Sequence, residues 1–252
     1  MIFKNNLFQN KKFLITGASS GIGASIALTL NALGAKVIAI ARDEKKLQFQ
    51  QEQAVNSDKF IYLNKDLANY EHLDAWILNI CKDFGGFDGA VLSAGISMDS
   101  SIRTSNYIQQ AKKVFDINYF GNLQVLKGML DRRASCNKGA SFVWIASMAA
   151  HKPEKGLSLY SGSKAAVVAT MKSIAKEIAP KFRINTISPA AVDTPMLNAS
   201  IKKNGGNLNL LNSNYPLGLG KAQDISFLAC FLLSQGSSWM TGQDIIINGG
   251  KA

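Results

Sequence analysis

Seven short apolar runs, each separated from the next by a longer stretch of helical period, set the limits on how this chain can fold. The runs span residues 13–16, 36–41, 60–63, 87–93, 141–147, 182–188 and 244–248. The helical stretches span 22–33, 44–53, 70–84, 105–130, 157–179 and 222–234. Strands that alternate with helices lie parallel, because each helix supplies the crossover that a parallel pair needs. Val37-Ile38-Ala39-Ile40 is apolar without alternation, as expected of a strand buried on both faces.

The first run opens onto Thr16-Gly17-Ala18-Ser19-Ser20-Gly21-Ile22-Gly23, which leads into the first helical stretch. Glycines there permit a tight turn and let backbone N–H groups approach a pyrophosphate, and the positive N-terminal end of the helix completes the anion site. The expected architecture is therefore an α/β Rossmann-type, doubly wound parallel sheet of seven strands with helices on both faces. A length of 252 residues suits one such domain, 1–252, with a substrate-loop insertion at about 195–220. That insertion is rich in Asn, Gly and Ser and reads as an irregular lid.

Composition narrows the function classes. No apolar run approaches the roughly 20 residues that span a bilayer, and the first residues lack a signal-peptide pattern. A cytosolic protein with no membrane partner is expected. Cys81, Cys136, Cys230, His72 and His151 have no metal-ligand spacing, so no metal is expected. The net charge of +11 raises nucleic acid as a partner, but the basic residues are scattered and no recognition module accompanies them. A solvated surface that attracts anionic cofactors or substrates is the preferred reading.

The spacing Gly-x-x-x-Gly-x-Gly begins a series of motifs in order. Asp66-Leu67 follows the third run and Ser93-Ala94-Gly95 the fourth. Asn118-Tyr119-Phe120-Gly121 comes next, then Ser147, 13 residues before Tyr160, and Tyr160-Ser161-Gly162-Ser163-Lys164. Asn185, Pro189, Val192 and Thr194 follow, and Thr241-Gly242-Gln243 with Asn248-Gly249-Gly250 closes the chain. Nearly end to end, the sequence resembles the classical short-chain dehydrogenase/reductase family. The resemblance implies a nicotinamide cofactor held by Gly17, Ser19, Ser20, Gly21, Ile22, Gly23, Arg42, Asp66, Leu67, Ser93, Ala94, Gly95, Pro189, Val192 and Thr194, together with Tyr160 and Lys164. It implies Tyr160 as proton donor in carbonyl reduction and Lys164 as pKa modifier and ribose ligand. Ser147 would bind the substrate oxygen, and Asn118 would hold a relay water. The sequence departs from the family pattern at Leu92-Ser93 (usually Asn-Asn), at Ala190 (usually Gly) and at Asn248 (usually Asp).

Tyr160 and Lys164 are four apart and so share a helix face. A cation at that spacing favours the phenolate and is expected to lower a phenol pKa from about 10. At the end of the second run, where an acid ordinarily binds the adenosine ribose, stand Ala41 and Arg42. Loss of the carboxylate and gain of a guanidinium favour NADP(H), with NAD(H) still possible and Asp43 an alternative ribose ligand.

The expected function is an NADP(H)-dependent oxidoreductase acting on a small-molecule carbonyl or alcohol. Met98, Ala149, His151, Leu157, Met196 and Leu197 are candidates for a mostly apolar substrate pocket. Two alternatives stand beside this: a 3-oxoacyl-carrier-protein reductase whose acidic carrier protein docks near Lys127 and Lys181, and a regulatory nucleotide-binding protein without turnover. The resemblance also implies a homodimer or homotetramer through the helices bearing Asn118 and Tyr160.

Overall fold

A computed structural model describes residues 3–134, 136–203 and 205–251. The chain runs β1 (Lys12–Thr16), α1 (Gly21–Ala32), β2 (Lys36–Ala41), α2 (Glu44–Gln53), β3 (Phe60–Asn64), α3 (Leu73–Phe84) and β4 (Gly89–Leu92). It continues with α4 (Tyr107–Phe115), a π-helical turn (Asp116–Gly121), α5 (Asn122–Leu130), β5 (Ser141–Ile145), a 3₁₀ turn (Met148–Ala150) and α6 (Ser158–Ile178). The last elements are β6 (Arg183–Pro189), β7 (Val192–Asp193), α7 (Pro195–Lys203), α8 (Leu208–Ser213), β8 (Gly220–Lys221), α9 (Ala222–Leu233) and β9 (Asp244–Ile247).

Seven strands form one parallel sheet in the order β3-β2-β1-β4-β5-β6-β9. Successive side chains point to opposite faces, which is why the apolar runs need no alternation. Leu14, Ile38, Phe142 and Trp144 pack under α3, α5 and α6. Phe13, Ile15, Val37 and Val143 pack on the other face with residues of α1 and α9. Both faces of the central strands β1, β2, β4 and β5 are buried, as the α/β reading requires.

Three elements differ from the sequence reading. The helix expected over 105–130 is interrupted by the π-helical turn, whose last residue, Gly121, lies so close to the Leu67 carbonyl that a Cβ would collide with it. The helix expected from residue 70 begins at Leu73, because His72 takes a left-handed conformation with φ 55°. The segment expected to be irregular folds as α7 and α8, next to the two-residue parallel ladder β7–β8. Pro195 opens α7, with the Thr194 hydroxyl accepting from Leu197 N at 3.4 Å. Asn207 caps α8 by accepting from Asn209 N at 2.8 Å and Leu210 N at 3.4 Å. Among the described residues no helix is long and apolar enough to cross a membrane.

Candidate active site

A cleft of about 1040 Å³ runs along the carboxyl edge of the sheet, where parallel α/β folds gather the loops that bind ligands. Its first wall is the turn after β1. Gly17 has φ +66°, and a Cβ there would lie 2.8 Å from Ala94 Cα; one on Gly23 would fall on the Gly17 carbonyl. Side chains are excluded at both positions by neighbouring backbone, which leaves the turn's backbone open to the cleft beside Ser19, Ser20, Gly21 and Ile22. This is a cradle suited to a pyrophosphate at the start of α1.

The next wall comes from β2, β3 and β4. Arg42 lines the cleft with Lys46 and Lys65, and its carbonyl accepts from Asn64 Nδ2 at 3.1 Å. Asp43 caps α2, accepting from Lys46 N at 3.1 Å, and its other oxygen lies 3.5 Å from Lys46 Nζ. The backbone N–H of Lys46 is the main reason its carboxyl sits below the usual carboxylate range. Asp43 also lines the cleft, with 42% of its side chain exposed. Asp66, Leu67, Ser93, Ala94 and Gly95 all reach the cleft.

Sequence reasoning missed what braces the end of β4. The Thr16 hydroxyl donates to Asn122 Oδ1 at 2.8 Å and accepts from Ser93 N at 2.9 Å and Ala94 N at 3.1 Å. Asn122 Nδ2 donates to Ala94 O at 2.8 Å and Ile117 O at 2.9 Å. The substitution at Ser93 therefore leaves this strand end braced, by residues from β1 and α5. One signal was present: Asn122 stands four after Asn118, so two polar residues share one face of an otherwise apolar helical stretch.

Lys164, on α6, is 4% exposed and donates from Nζ to Ile145 O at 2.8 Å. Burial pulls its pKa down to about 8. Tyr160, one turn earlier, is raised above the ordinary phenol value by burial, and a hydrogen bond with the Ser147 hydroxyl offsets part of that. Lys164 Nζ lies 5.7 Å from the Tyr160 ring centroid. The lowering expected from the ammonium does not prevail: burial raises the phenol, and the Ser147 hydrogen bond offsets only part of that.

Ser147, Tyr160 and Lys164 share the cleft with Pro189, Val192 and Thr194. Asn118 is placed differently. Its side chain lies behind the cleft wall, fully buried, with Oδ1 accepting from Ile96 N at 2.8 Å and Nδ2 donating to Ile96 O at 3.0 Å and Ser163 Oγ at 3.0 Å. It fixes the strand-to-loop exit after Gly95, where a Cβ would lie 3.2 Å from the Asn118 Oδ1 and 3.5 Å from Lys164 Nζ. The expected lining at Ala149, Leu157, Met196 and Leu197 is present, while Met98 and His151 are not part of it. Lys127 is held by Asp74 at 2.6 Å, and Lys181 lies 4.8 Å from the Phe182 ring centroid. Among the described residues no cluster of three or more His, Cys, Asp or Glu could hold a metal.

Residues 17–252 match the profile of the family described as Enoyl-(Acyl carrier protein) reductase. The short-chain dehydrogenase/reductase aba4 of Botryotinia fuckeliana is 31% identical over 96% of this chain and 97% of its own. The 3-oxoacyl-[acyl-carrier-protein] reductase FabG of Rickettsia typhi is 32% identical over the same shares. A crystal structure from Brucella melitensis, described as a short-chain dehydrogenase/reductase and glucose/ribitol dehydrogenase, superposes with a TM-score of 0.90 at 27% identity, covering 99% of both chains. Two further solved neighbours, at 25% and 27% identity, carry NADH and NADP respectively.

Proposed function

The chain belongs to the classical short-chain dehydrogenase/reductase family, and from that premise we propose that it is an NADP(H)-dependent reductase of a small-molecule carbonyl, with Tyr160 as its acid. The observation that carries the reading is the meeting of half-buried Tyr160 and buried Lys164 in one cleft with Ser147, beside a glycine turn whose backbone excludes side chains. The cofactor, when bound, supplies the hydride.

The chain's own groups account for the rest. A phenol raised above its ordinary pKa stays protonated at neutral pH, and a protonated phenol is what a reduction requires of its acid. Ser147, bonded to that phenol, is placed to donate to the same substrate oxygen. Lys164 spends one donor on Ile145 O, and its other N–H groups are available for a ribose hydroxyl. Its ammonium also stabilises the phenolate left after proton transfer. The oxidative direction needs the phenolate first and so gains with rising pH.

NADP(H) rather than NAD(H) follows from charge. Arg42, Lys46 and Lys65 surround the adenosine end while Asp43 is engaged as a helix cap. A 2′-phosphate meets cations there, and a planar guanidinium suits its oxygens. In the same reading, residues 1–252 are one NAD(P)-binding domain whose α7 and α8 wall the substrate end. The enzyme is a cytosolic homodimer or homotetramer.

A second reading, reduction of a 3-oxoacyl thioester, is favoured by the likeness to the Rickettsia typhi reductase. Lys127, the expected docking residue, is paired with Asp74 and keeps 66% of its side chain exposed. The test is a panel of ketones, aldehydes and acetoacetyl thioesters followed by NADPH absorbance. Turnover of the thioester alone selects the second reading. No turnover of any member by the wild-type chain overturns both.

A further inference from the structure

His151 lies just past the catalytic turn and outside the cleft, yet its ring is firmly tied. Its Nε2 stands 2.5 Å from Asp244 Oδ2, with side-chain exposures of 36% and 5%. The other carboxylate oxygen, Oδ1, accepts from the Thr186 hydroxyl at 2.6 Å and the Ser188 hydroxyl at 2.7 Å. Thr186 is the register partner of Asp244 in the parallel pair β6–β9, and Ser188 lies two residues on, on the same face. Two hydroxyls on one strand thus fix the carboxylate, and a near-buried carboxylate needs such partners. The nearby cation Arg183 is spent on the carbonyls of Leu232, Ser234, Ser237 and Met240. Among the described residues His151 is the partner that reaches Oδ2.

The chain between His151 and Ser147 is one closed turn. Ala149 N donates to Ser147 Oγ at 3.2 Å, Ala150 N to Ser147 O at 2.9 Å, and His151 N to Met148 O at 2.9 Å. A backbone displacement at His151 is therefore passed to Ser147 through this turn. The two hydroxyls bond to the carboxylate and not to the imidazole, so this group is no Ser–His–Asp relay to a nucleophile.

We propose that His151 and Asp244 are positioning residues: a latch that pins the Ser147 turn to the edge strand of the sheet and sets how Ser147 Oγ meets Tyr160 and the substrate oxygen. The proposal rests on the catalytic role assigned to Ser147. Small misplacements of a catalytic hydroxyl are costly, up to roughly a hundredfold for about 1 Å. The latch gives a polar side chain on the outer strand control over a group in the cleft.

The full chain tests this through His151→Ala, His151→Gln, Asp244→Asn and the double variant of the first and third, with two readouts. In the first, His151→Ala lowers kcat about tenfold while carbonyl KM and NADPH affinity stay within about twofold of wild type. His151→Gln, whose amide N–H still reaches a carboxylate, recovers at least half of the loss. The double variant His151→Ala/Asp244→Asn is no worse than the poorer single variant, as for two halves of one contact. In the second readout, amide hydrogen exchange of residues 147–151 speeds up about tenfold in His151→Ala and returns toward wild type in His151→Gln. Exchange unchanged in His151→Ala overturns the latch, as does a kcat loss matched by an equal loss of nucleotide affinity. If wild type turns over no carbonyl, the catalytic reading fails by itself, and the exchange measurement still decides the latch.

Discussion

The two ends of the cleft are built from different materials. At the nucleotide end the walls are backbone: Gly17 and Gly23 are required because neighbouring main-chain atoms occupy the space a Cβ would take. At the substrate end the walls are side chains on α7 and α8, which start at the Thr194 and Asn207 caps and are tied further through Ser200 to Asp99 and Asn212 to Leu219 N, with Leu210 largely exposed. A wall made of backbone tolerates few residue types, whereas a wall made of side chains can change its chemistry without changing its fold. The first kind of wall therefore reports what the family shares, and the second reports what each member does for itself.

Four measurements would break or sharpen this contrast. The largest effect belongs to the chemistry between the two ends: Tyr160→Phe should lower kcat about a thousandfold while NADPH binding, read by fluorescence titration, is retained. Comparable loss of binding would mean that the phenol is part of the nucleotide wall. Next comes Lys164, whose pKa falls from an ordinary 10.5 to about 8 through burial. Between those values the unfolded chain binds more protons than the folded one, so stability rises with pH across that window and is lost again as pH falls through 8. Relative to Lys164→Met, wild type should gain about 3 kcal/mol of unfolding free energy between pH 7 and 11, most of it by pH 9.5. Parallel urea midpoints for the two proteins over that range would refute the assignment.

A smaller effect is expected at the phosphate seat. Arg42→Ala should weaken NADPH binding by roughly tenfold or more and leave NADH binding within about threefold. Equal losses for both nucleotides would remove the case for a 2′-phosphate. The smallest falls at the variable end: Asn207→Ala removes the cap of α8 and should cost about 1 kcal/mol. It should show as a lowered Tm and a changed carbonyl KM, with NADPH affinity untouched. A change in NADPH affinity would show that the two ends are mechanically joined.

The contrast also explains what could be read from the sequence. The glycine turn, the seven-strand parallel sheet and the Tyr160–Lys164 pair were legible because each follows from local spacing or from steric exclusion. The segment 195–220 read as irregular because the cap of α8, Asn207, is embedded in a run of Asn, Gly and Ser that supplies equally good turn residues. The π-helical turn was hidden because the close approach it makes, Gly121 against the Leu67 carbonyl, involves another part of the chain. The direction of the Tyr160 shift was missed for a related reason. Spacing reveals the neighbouring cation but not the depth of burial, and burial decided the sign.

The hydrogen bond joining Thr16 to Asn122 spans 106 residues of sequence. During translation, the loop leaving β4 stays without this anchor until residue 122 has emerged from the ribosome and α5 has docked. The nucleotide-binding half is thus not a separable module that matures first and waits for the remainder. Its last tie is made by a helix encoded well downstream, and a fragment ending before that helix would expose an unfinished sheet to aggregation.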